Sequence, residues 1–399
     1  MKDQSSFTLI ELLIVIGILA ILVASVIVIL NPAQLLAQAR DSKRQQDLSA
    51  LNQALQTITA LDQTLSFGSS SVVYTSLPDS SSTCGSWGLP SLPSGWNYHC
   101  VSTTTLQNTD GTGWIPVNFK TTGVVSLSAL PTDPQNTSST GLYYTYVTGG
   151  SYELNGILES SKYRNNTALT KLNLPGVLSY GSNQSLSPLY NTSGLVGYWN
   201  FDNNVLDQSG NNNNGVWYGT STTRYVGGKV GSGAGTFNGS NDYVDVGGVS
   251  TFNPGSGDVS LGFWINMADT SRIHIIFGKR LASYGYLSYV LTSGGNTLQI
   301  CNGSCSSYGS VNVMAGQWQQ IFIVFSRTTN KALSYMNGAL GYWSDISAKT
   351  GTLDSSGSLQ FGRDPSDGTN VWSGSIDDAR VYNRALSASE IQALYNATK

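Results

Sequence analysis

The chain reads as two folds in series: an α+β unit, made of one long N-terminal helix and a small antiparallel sheet, then an all-β two-sheet jelly-roll sandwich. Three observations carry this reading. An apolar run, FTLIELLIVIGILAILVASVIVIL, fills residues 7–30 and holds a single carboxylate, Glu11. Beyond Asn31-Pro32, apolar residues recur at three- and four-residue steps as far as residue 65, the spacing of one helical face. From Gly194 onward, short runs rich in aromatic and β-branched residues alternate with Gly, Asn and Asp, and no helical stretch intervenes until the end.

Composition bounds the function. A chain of 399 residues makes two or three domains of usual size. Twenty basic residues against 23 acidic ones, a net charge of −3 and only 11% charged residues exclude the basic footprint of a nucleic-acid binder. The 44 glycines, with abundant Ser, Thr and Asn, suit turn-rich β structure outside the cell. A hydrophobic share of 40% argues against disorder.

The N-terminal run makes the sharpest functional statement. Residues 12–30 carry no charge and would rise roughly 28 Å as a helix, about one bilayer core. The run is longer than the apolar core of a signal peptide and reads as a span that stays. Lys2 on the short side and the polar bulk on the other favour N-inside, C-outside. A carboxylate so near the start of the span is costly in lipid unless paired, and a nearby α-amino group is its simplest partner. The stretch SFTLIELLIVIGILAILVA resembles the N-terminus of type IV pilins and of the pseudopilins of type II secretion. That resemblance implies that residues 1–6 are a leader removed between Ser6 and Phe7 by a prepilin peptidase. It also implies N-methylation of Phe7 and pairing of Glu11 with the terminal amine of a neighbouring subunit. The subunit would wait in the inner (cytoplasmic) membrane at an assembly platform and end in a cell-surface filament with other pilin subunits. Ser6 departs from the glycine usual before the cut. The bland alternative is a plain single-pass anchor.

Proline restricts its predecessor and lacks a backbone donor, so a break is expected at Asn31-Pro32. The helix, residues 7–65 overall with 7–30 as the membrane or filament-core part, then presents Leu36, Ala39, Leu48, Leu51, Leu55, Ile58 and Leu65 as one stripe towards its own globular head. Arg40, Asp41, Lys43, Arg44 and Asp47 cluster in the first half of this stretch. In pilins this is where subunits cross one another; the bland alternative is a solvated face with ordinary i,i+4 pairs, and both can hold together. The head is expected at residues 66–174, where VVY, GWIPVNF and YYTYV stand between turn residues. The segment from LPTDPQN to ESSKY is similar to the carboxy-terminal part of pilin heads. Its Asp133-Pro134 turn resembles a calcium-holding loop of some major pseudopilins, though a structural turn is the favoured reading. Residues 175–193 show no sustained periodicity and read as a linker. The four cysteines read as two disulfides, Cys84 with Cys100 and Cys301 with Cys305, in an exported chain. With two histidines only, a metal reading of the cysteines is weaker.

In residues 194–399 the phrases GLVGYWNFDNN, DQSGNNNNG, FNGSNDYVDV, SLGFWI, GQWQQIFIVF, SYMNGAL, LQFGRD and IDDARVYNRALSASEIQALY follow one another as in the laminin-G-like, concanavalin A-like sandwich. Trp199, Phe263, Trp264, Trp318, Phe322 and Phe325 are expected mostly in its core. The resemblance fixes a fold and leaves the ligand open, because such sandwiches host lectins, protein-binding modules and glycosidases alike. Retaining glucanases on this sandwich depend on paired glutamates. The chain has four, Glu11, Glu153, Glu159 and Glu390, and none lies in the expected strands of this module. Adjacent residues Asp377 and Asp378 would point to opposite faces of a strand, and no familiar catalytic motif appears, so catalysis is not expected. The resemblance also implies a structural calcium near the terminal strands, which would bring Asp202 or Asp207 towards Asp377 or Asp378, and calcium gathers such oxygen donors from loops. The same residues also suit Asx turns. Tyr284, Tyr286, Tyr308 and Trp343 are candidate loop aromatics that could stack on sugars. The chain is thus expected to be a pilin-like filament subunit displaying a lectin-like domain that binds an extracellular glycan or protein for surface adhesion. The alternatives are a minor pseudopilin recognising secretion cargo and, less favoured, an exported carbohydrate-active enzyme.

Overall fold

A computed structural model of the chain describes residues 9–62, 66–121, 123–125, 127–166, 168–171 and 173–399. Helix α1 (Leu9–Leu30) carries Glu11 in its first turn. Among the described residues no helix is long and apolar enough to cross a membrane. Of α1, only residues 9–19 are described with their side chains, a rise of about 16 Å. The expected break falls at Asn31, which takes the left-handed conformation and caps α2 (Pro32–Leu61), its side chain accepting from the Gln34 amide. Pro32 opens α2, where its missing donor costs nothing.

Helix α2 buries Leu48, Leu51, Leu55 and Ile58 as its spacing predicts. Its first half departs from the expectation. Leu36 is 61% exposed, and the buried positions are Ala37, Asp41, Arg44 and Asp47. Leu65 lies outside the described residues.

Among the described residues the head holds a six-stranded sheet of β1 (Val72–Pro78), β2 (Asn97–Val101), β3 (Thr145–Thr148), β4 (Tyr152–Ile157), β5 (Thr170–Lys171) and β6 (Leu174–Gly181). Their order is β2-β1-β3-β4-β6-β5, with β1 and β2 parallel and the other pairs antiparallel. Between β4 and β5 lies a single turn of helix, α3 (Ser161–Arg164). The linker expected at 175–193 is corrected at its start, because β6 pairs with β4 from Ile157↔Val177 to Glu153↔Gly181. Its sequence, LPGVLSYG, is buried on both faces, so period-two alternation is absent and the strand is hidden from pattern reading.

The sandwich strands are β7 (Leu195–Trp199), β8 (Val216–Tyr218), β9 (Tyr225–Val226), β10 (Ala234–Asn238), β11 (Tyr243–Gly247), β12 (Val259–Met267), β13 (His274–Leu281), β14 (Tyr284–Val290), β15 (Gly295–Asn302), β16 (Cys305–Asn312), β17 (Trp318–Ser326), β18 (Lys331–Met336), β19 (Ala339–Asp345), β20 (Leu359–Phe361) and β21 (Ser373–Tyr382). One sheet runs β19-β18-β17-β12-β21-β10-β9, with β7 also on β21, and the other runs β16-β15-β14-β13-β20-β11-β8. Asn337 and Gly338 both have positive φ, as a two-residue hairpin between β18 and β19 requires. Trp199, Phe263 and Phe325 lie in the core between the sheets, with Phe237, Phe277, Tyr286 and Phe361.

The closing helix α4 (Ala388–Thr398) starts in a capping box of Ser387 and Glu390. It lies in a second apolar core that joins the two units. Head residues Val73, Val147, Ile157 and Val177, sandwich residues Phe322, Val324 and Tyr335, and α4 residues Ile391, Leu394 and Ala397 form one buried cluster. Trp264 serves this side as well, stacking on Tyr395 at 5.9 Å and donating to the Thr398 hydroxyl at 3.0 Å. Strands β12 and β17 are therefore buried on both faces, and the sandwich is docked on the head through an apolar core.

Candidate functional site

Three places carry chemistry. At the N-terminus, Ser6 and Phe7 lie outside the described residues. Glu11 is exposed in the first turn of α1, where a carboxylate is favoured by the helix dipole.

The second place is where α2 meets the head. Arg44 and Asp41 are fully buried. The Arg44 guanidinium donates to Asp133 through Nε (2.6 Å) and Nη2 (3.0 Å), and to Asp41 and Glu159 through Nη1 (2.8 and 2.5 Å). Arg40 forks onto the same Glu159 at 2.7 and 2.9 Å. Asp41 also accepts from the Glu159 and Ser160 amides at 2.9 and 2.8 Å. Arg40, Asp41 and Arg44 thus hold the subunit's own head, while the exposed Lys43 makes an ordinary i,i+4 pair with Asp47 at 2.7 Å. Asp133 receives Arg44 together with the Gln135 and Asn136 amides at 2.8 and 3.3 Å, so a guanidinium is its cation here and the structural-turn reading fits. Burial alone would lower the Arg44 pKa, but its hydrogen bonds to Asp133 and the surrounding carboxylates outweigh it and raise it.

The third place is the seam between head and sandwich. Asp202 Oδ1 accepts from the Gly233 amide at 2.7 Å and from the Ser232 amide, while Asp377 Oδ2 accepts from the Lys229 and Val230 amides at 2.8 and 2.9 Å. One loop, residues 228–233, is thus gripped by two carboxylates, Asp202 from the bend after β7 and Asp377 from β21. Asp377 Oδ1 is buried without a hydrogen-bond partner among the described residues, and burial pushes this carboxyl well above the usual range. Asp207 and Asp378 do not join them. Asp207 caps the amides of Tyr198, Ser209 and Asn213 at 2.9–3.0 Å. Asp378, at φ 49° on a β-bulge, receives the Arg380 guanidinium at 2.9 and 3.1 Å. The bulge sends the two adjacent carboxylates to different partners. Arg380 lies 3.9 Å from the centre of the Tyr198 ring and donates to the head's Asn173 carbonyl at 2.7 Å. Arg164 crosses the seam the other way, onto the Ala397 and Lys399 carbonyls at the end of α4. A cleft of about 300 Å³ opens here, lined by Arg164, Lys171 and Asn173 from the head and by Tyr198, Asn200 and Asp202 from the sandwich.

The expected loop aromatics fall on strands. Tyr286 is a core residue whose hydroxyl donates to the Phe252 carbonyl at 2.8 Å, and Tyr308 packs against that core. Tyr284 and Trp343 are about half exposed. Both disulfides form as expected, Cys84–Cys100 in the head and Cys301–Cys305 at the β15–β16 hairpin. The Arg44, Arg164 and Arg380 contacts were missed from sequence. Only the two charged positions of α2 that continue its buried stripe, Asp41 and Arg44, gave a signal.

Residues 1–27 match the model of the prokaryotic N-terminal methylation motif, and residues 238–392 match that of the concanavalin A-like lectin/glucanases superfamily. No curated protein matches the chain. Among solved structures it is similar to domain 4 of AbnA, a GH43 extracellular arabinanase from Geobacillus stearothermophilus, in complex with arabinotriose. The identity is 18% over 50% of this chain and 98% of that one, with a TM-score of 0.41. It is also similar to the binding domain of Paraclostridial Mosquitocidal Protein 1, at 18% identity over 52% of each chain and a TM-score of 0.44. The chain thus spans about half the length of the latter. It joins the N-terminal methylation motif of type IV pilins to a domain of the concanavalin A-like lectin/glucanases superfamily.

Proposed function

We propose that this chain is a type IV pilin-like filament subunit whose sandwich is an adhesive binding domain for an extracellular glycan or protein. The observation that carries it is the pairing, in one chain, of the methylation motif at residues 1–27 with the lectin-type domain at 238–392. The shared core under α4 supports it, because a domain docked on the head is displayed at a fixed place on each subunit. A prepilin peptidase cuts before Phe7, the new terminus is methylated, and Glu11 pairs with a neighbour's amine during assembly from an N-inside, C-outside membrane form. The sandwich binds and does not turn over its ligand. In support, Glu390 is committed to a helix cap and to Arg384, and Glu153 and Glu159 belong to the head.

The test uses whole filaments, since the common core makes removal of the sandwich a lesion of the head. Sheared surface filaments should contain the protein, beginning at a methylated Phe7, and should attach to members of a glycan and matrix-protein array. A mature protein that retains Met1 defeats the pilin reading. Recovery only in the cell envelope, with loss of secreted cargo on deletion, favours a minor pseudopilin, and polysaccharide cleavage would favour an enzyme.

The calcium reading narrows to Asp202 and Asp377, which hold one loop by its amides and of which Asp377 keeps a buried oxygen without a partner among the described residues. Calcium held by these residues would supply positive charge to offset their carboxylates and would stiffen the loop. Calcium should raise the melting temperature of the full chain, and Asp377→Asn should remove that rise. An unchanged melting temperature ends the calcium reading.

A further inference from the structure

Beneath α4 the head buries a lysine, a glutamate and an asparagine that none of the contacts above explains. Glu153 and Asn155 are two residues apart on β4 and so share a face, the one whose next member, Ile157, lies in the α4 core. Both are 0% exposed. Lys171 reaches over from β5 and places Nζ 2.6 Å from Glu153 Oε1. Ser179 stands directly opposite Asn155 on β6, and its hydroxyl is 3.4 Å from the same Oε1. That oxygen, with the lysine nitrogen on it, is therefore turned towards the Asn155 rung. Oε2 is turned away, onto the Leu186 and Ser187 amides at 2.8 and 2.7 Å. The Asn155 amide is buried with neither its oxygen nor its nitrogen hydrogen-bonded among the described residues, a state that costs about 1–3 kcal/mol per group.

We propose that Lys171 and Asn155 condense into an isopeptide bond, with Glu153 as the proton-transfer group. Glu153 takes a proton from the lysine ammonium, and the neutral Nζ adds to Asn155 Cγ. Glu153 then gives that proton to Nδ2 as the Cγ–Nδ2 bond breaks. The second proton lost by the attacking nitrogen leaves with the ammonia as ammonium, and the Glu153 carboxylate is restored. One ammonium is released per bond, no electrons change hands and no co-reactant is required. Burial lowers the Lys171 pKa, which favours the nucleophilic amine. The bond would fasten β5 to β4 across β6, the strand that leads from the head towards the sandwich. A subunit pulled at its binding domain would carry load through it.

The full chain, purified from the membrane fraction and reduced, should weigh one ammonia less than the mass calculated from its own N-terminus. Digestion should yield a branched peptide joining Lys171 to Asn155. Lys171→Arg, which keeps the ion pair but not the nucleophile, should restore the full mass, and so should Glu153→Gln. A folded wild-type chain of full mass overturns the proposal. Loss of ammonia without the Lys171 branch, as from a succinimide at Asn155-Gly156, overturns it equally. A bond that survives Glu153→Gln removes the glutamate from the reaction.

Discussion

The head sheet is covered by a helix on each face, and the two helices do the same work with opposite chemistry. On one side α2 packs Leu48, Leu51, Leu55 and Ile58 against the head core and then switches to buried charge, with Arg44 held among Asp41, Asp133 and Glu159. On the other side α4 presents Ile391, Leu394 and Ala397 to an apolar cluster shared with the sandwich, and its polar contacts sit at its ends. An apolar face loses stability in proportion to what is removed. A buried ion cluster fails more abruptly, because taking one member leaves the others buried and uncompensated.

The largest expected effect follows from that difference. Arg44→Met should cost about 4 kcal/mol, the penalty of stranding buried carboxylates, read as a shift of the urea midpoint for the full chain. A loss below about 1 kcal/mol would mean that the cluster relaxes or hydrates, and the contrast between the faces would go with it. Ile391→Ala, at a position with no exposure, should cost about 3 kcal/mol. Because Ile391 belongs to the core common to both units, this variant should also split a single melting transition into two. A single, merely lowered transition would show that α4 is not what couples them.

How much of this was legible in the sequence follows the same division. The two-fold architecture, the break at Asn31, the lower stripe of α2, the Asn337-Gly338 hairpin and both disulfides could be read, because each has a local signature in spacing or turn chemistry. The upper half of α2 could not. Asp41 and Arg44 sit where the stripe continues, but charged residues on a helix are ordinarily solvated, and their partners Asp133 and Glu159 lie far along the chain. Strand β6 passed for a linker because burial of both its faces removed the alternation that marks a strand. Among the calcium candidates, residue type and the resemblance to the sandwich family put four aspartates together. The fold brings Asp202 and Asp377 to one loop and assigns Asp207 to backbone amides and Asp378 to Arg380.

The two disulfides offer a smaller test of how head and sandwich differ. Their sequence separations are 16 in the head and 4 in the hairpin. On the chain-entropy account, closing the longer loop is worth about 3 kcal/mol and the shorter about 2 kcal/mol. Paired Cys→Ser replacements at 84 and 100 should therefore lower stability by about 1 kcal/mol more than those at 301 and 305. Equal losses would show that the hairpin tip depends on its bridge for more than loop closure.

The smallest effect is the pH response of the charged face, and its sign is fixed. Burial on its own would raise the Glu159 pKa, but hydrogen bonds from Arg40 and Arg44 and their charges outweigh burial and hold this carboxyl below its ordinary value. Its folded pKa is thus lower than its unfolded one, about 4.3. The stability it contributes is fully present above that unfolded value and is lost as the pH falls through the folded one. Wild-type protein should therefore lose stability below about pH 4.5 with a steeper slope than Glu159→Gln. Ile391→Ala, which disturbs only the apolar face, should keep the wild-type slope from a lower starting point. Parallel acid curves for wild type and Glu159→Gln would show that the Arg40 and Arg44 contacts to Glu159 do not lock α2 to the head.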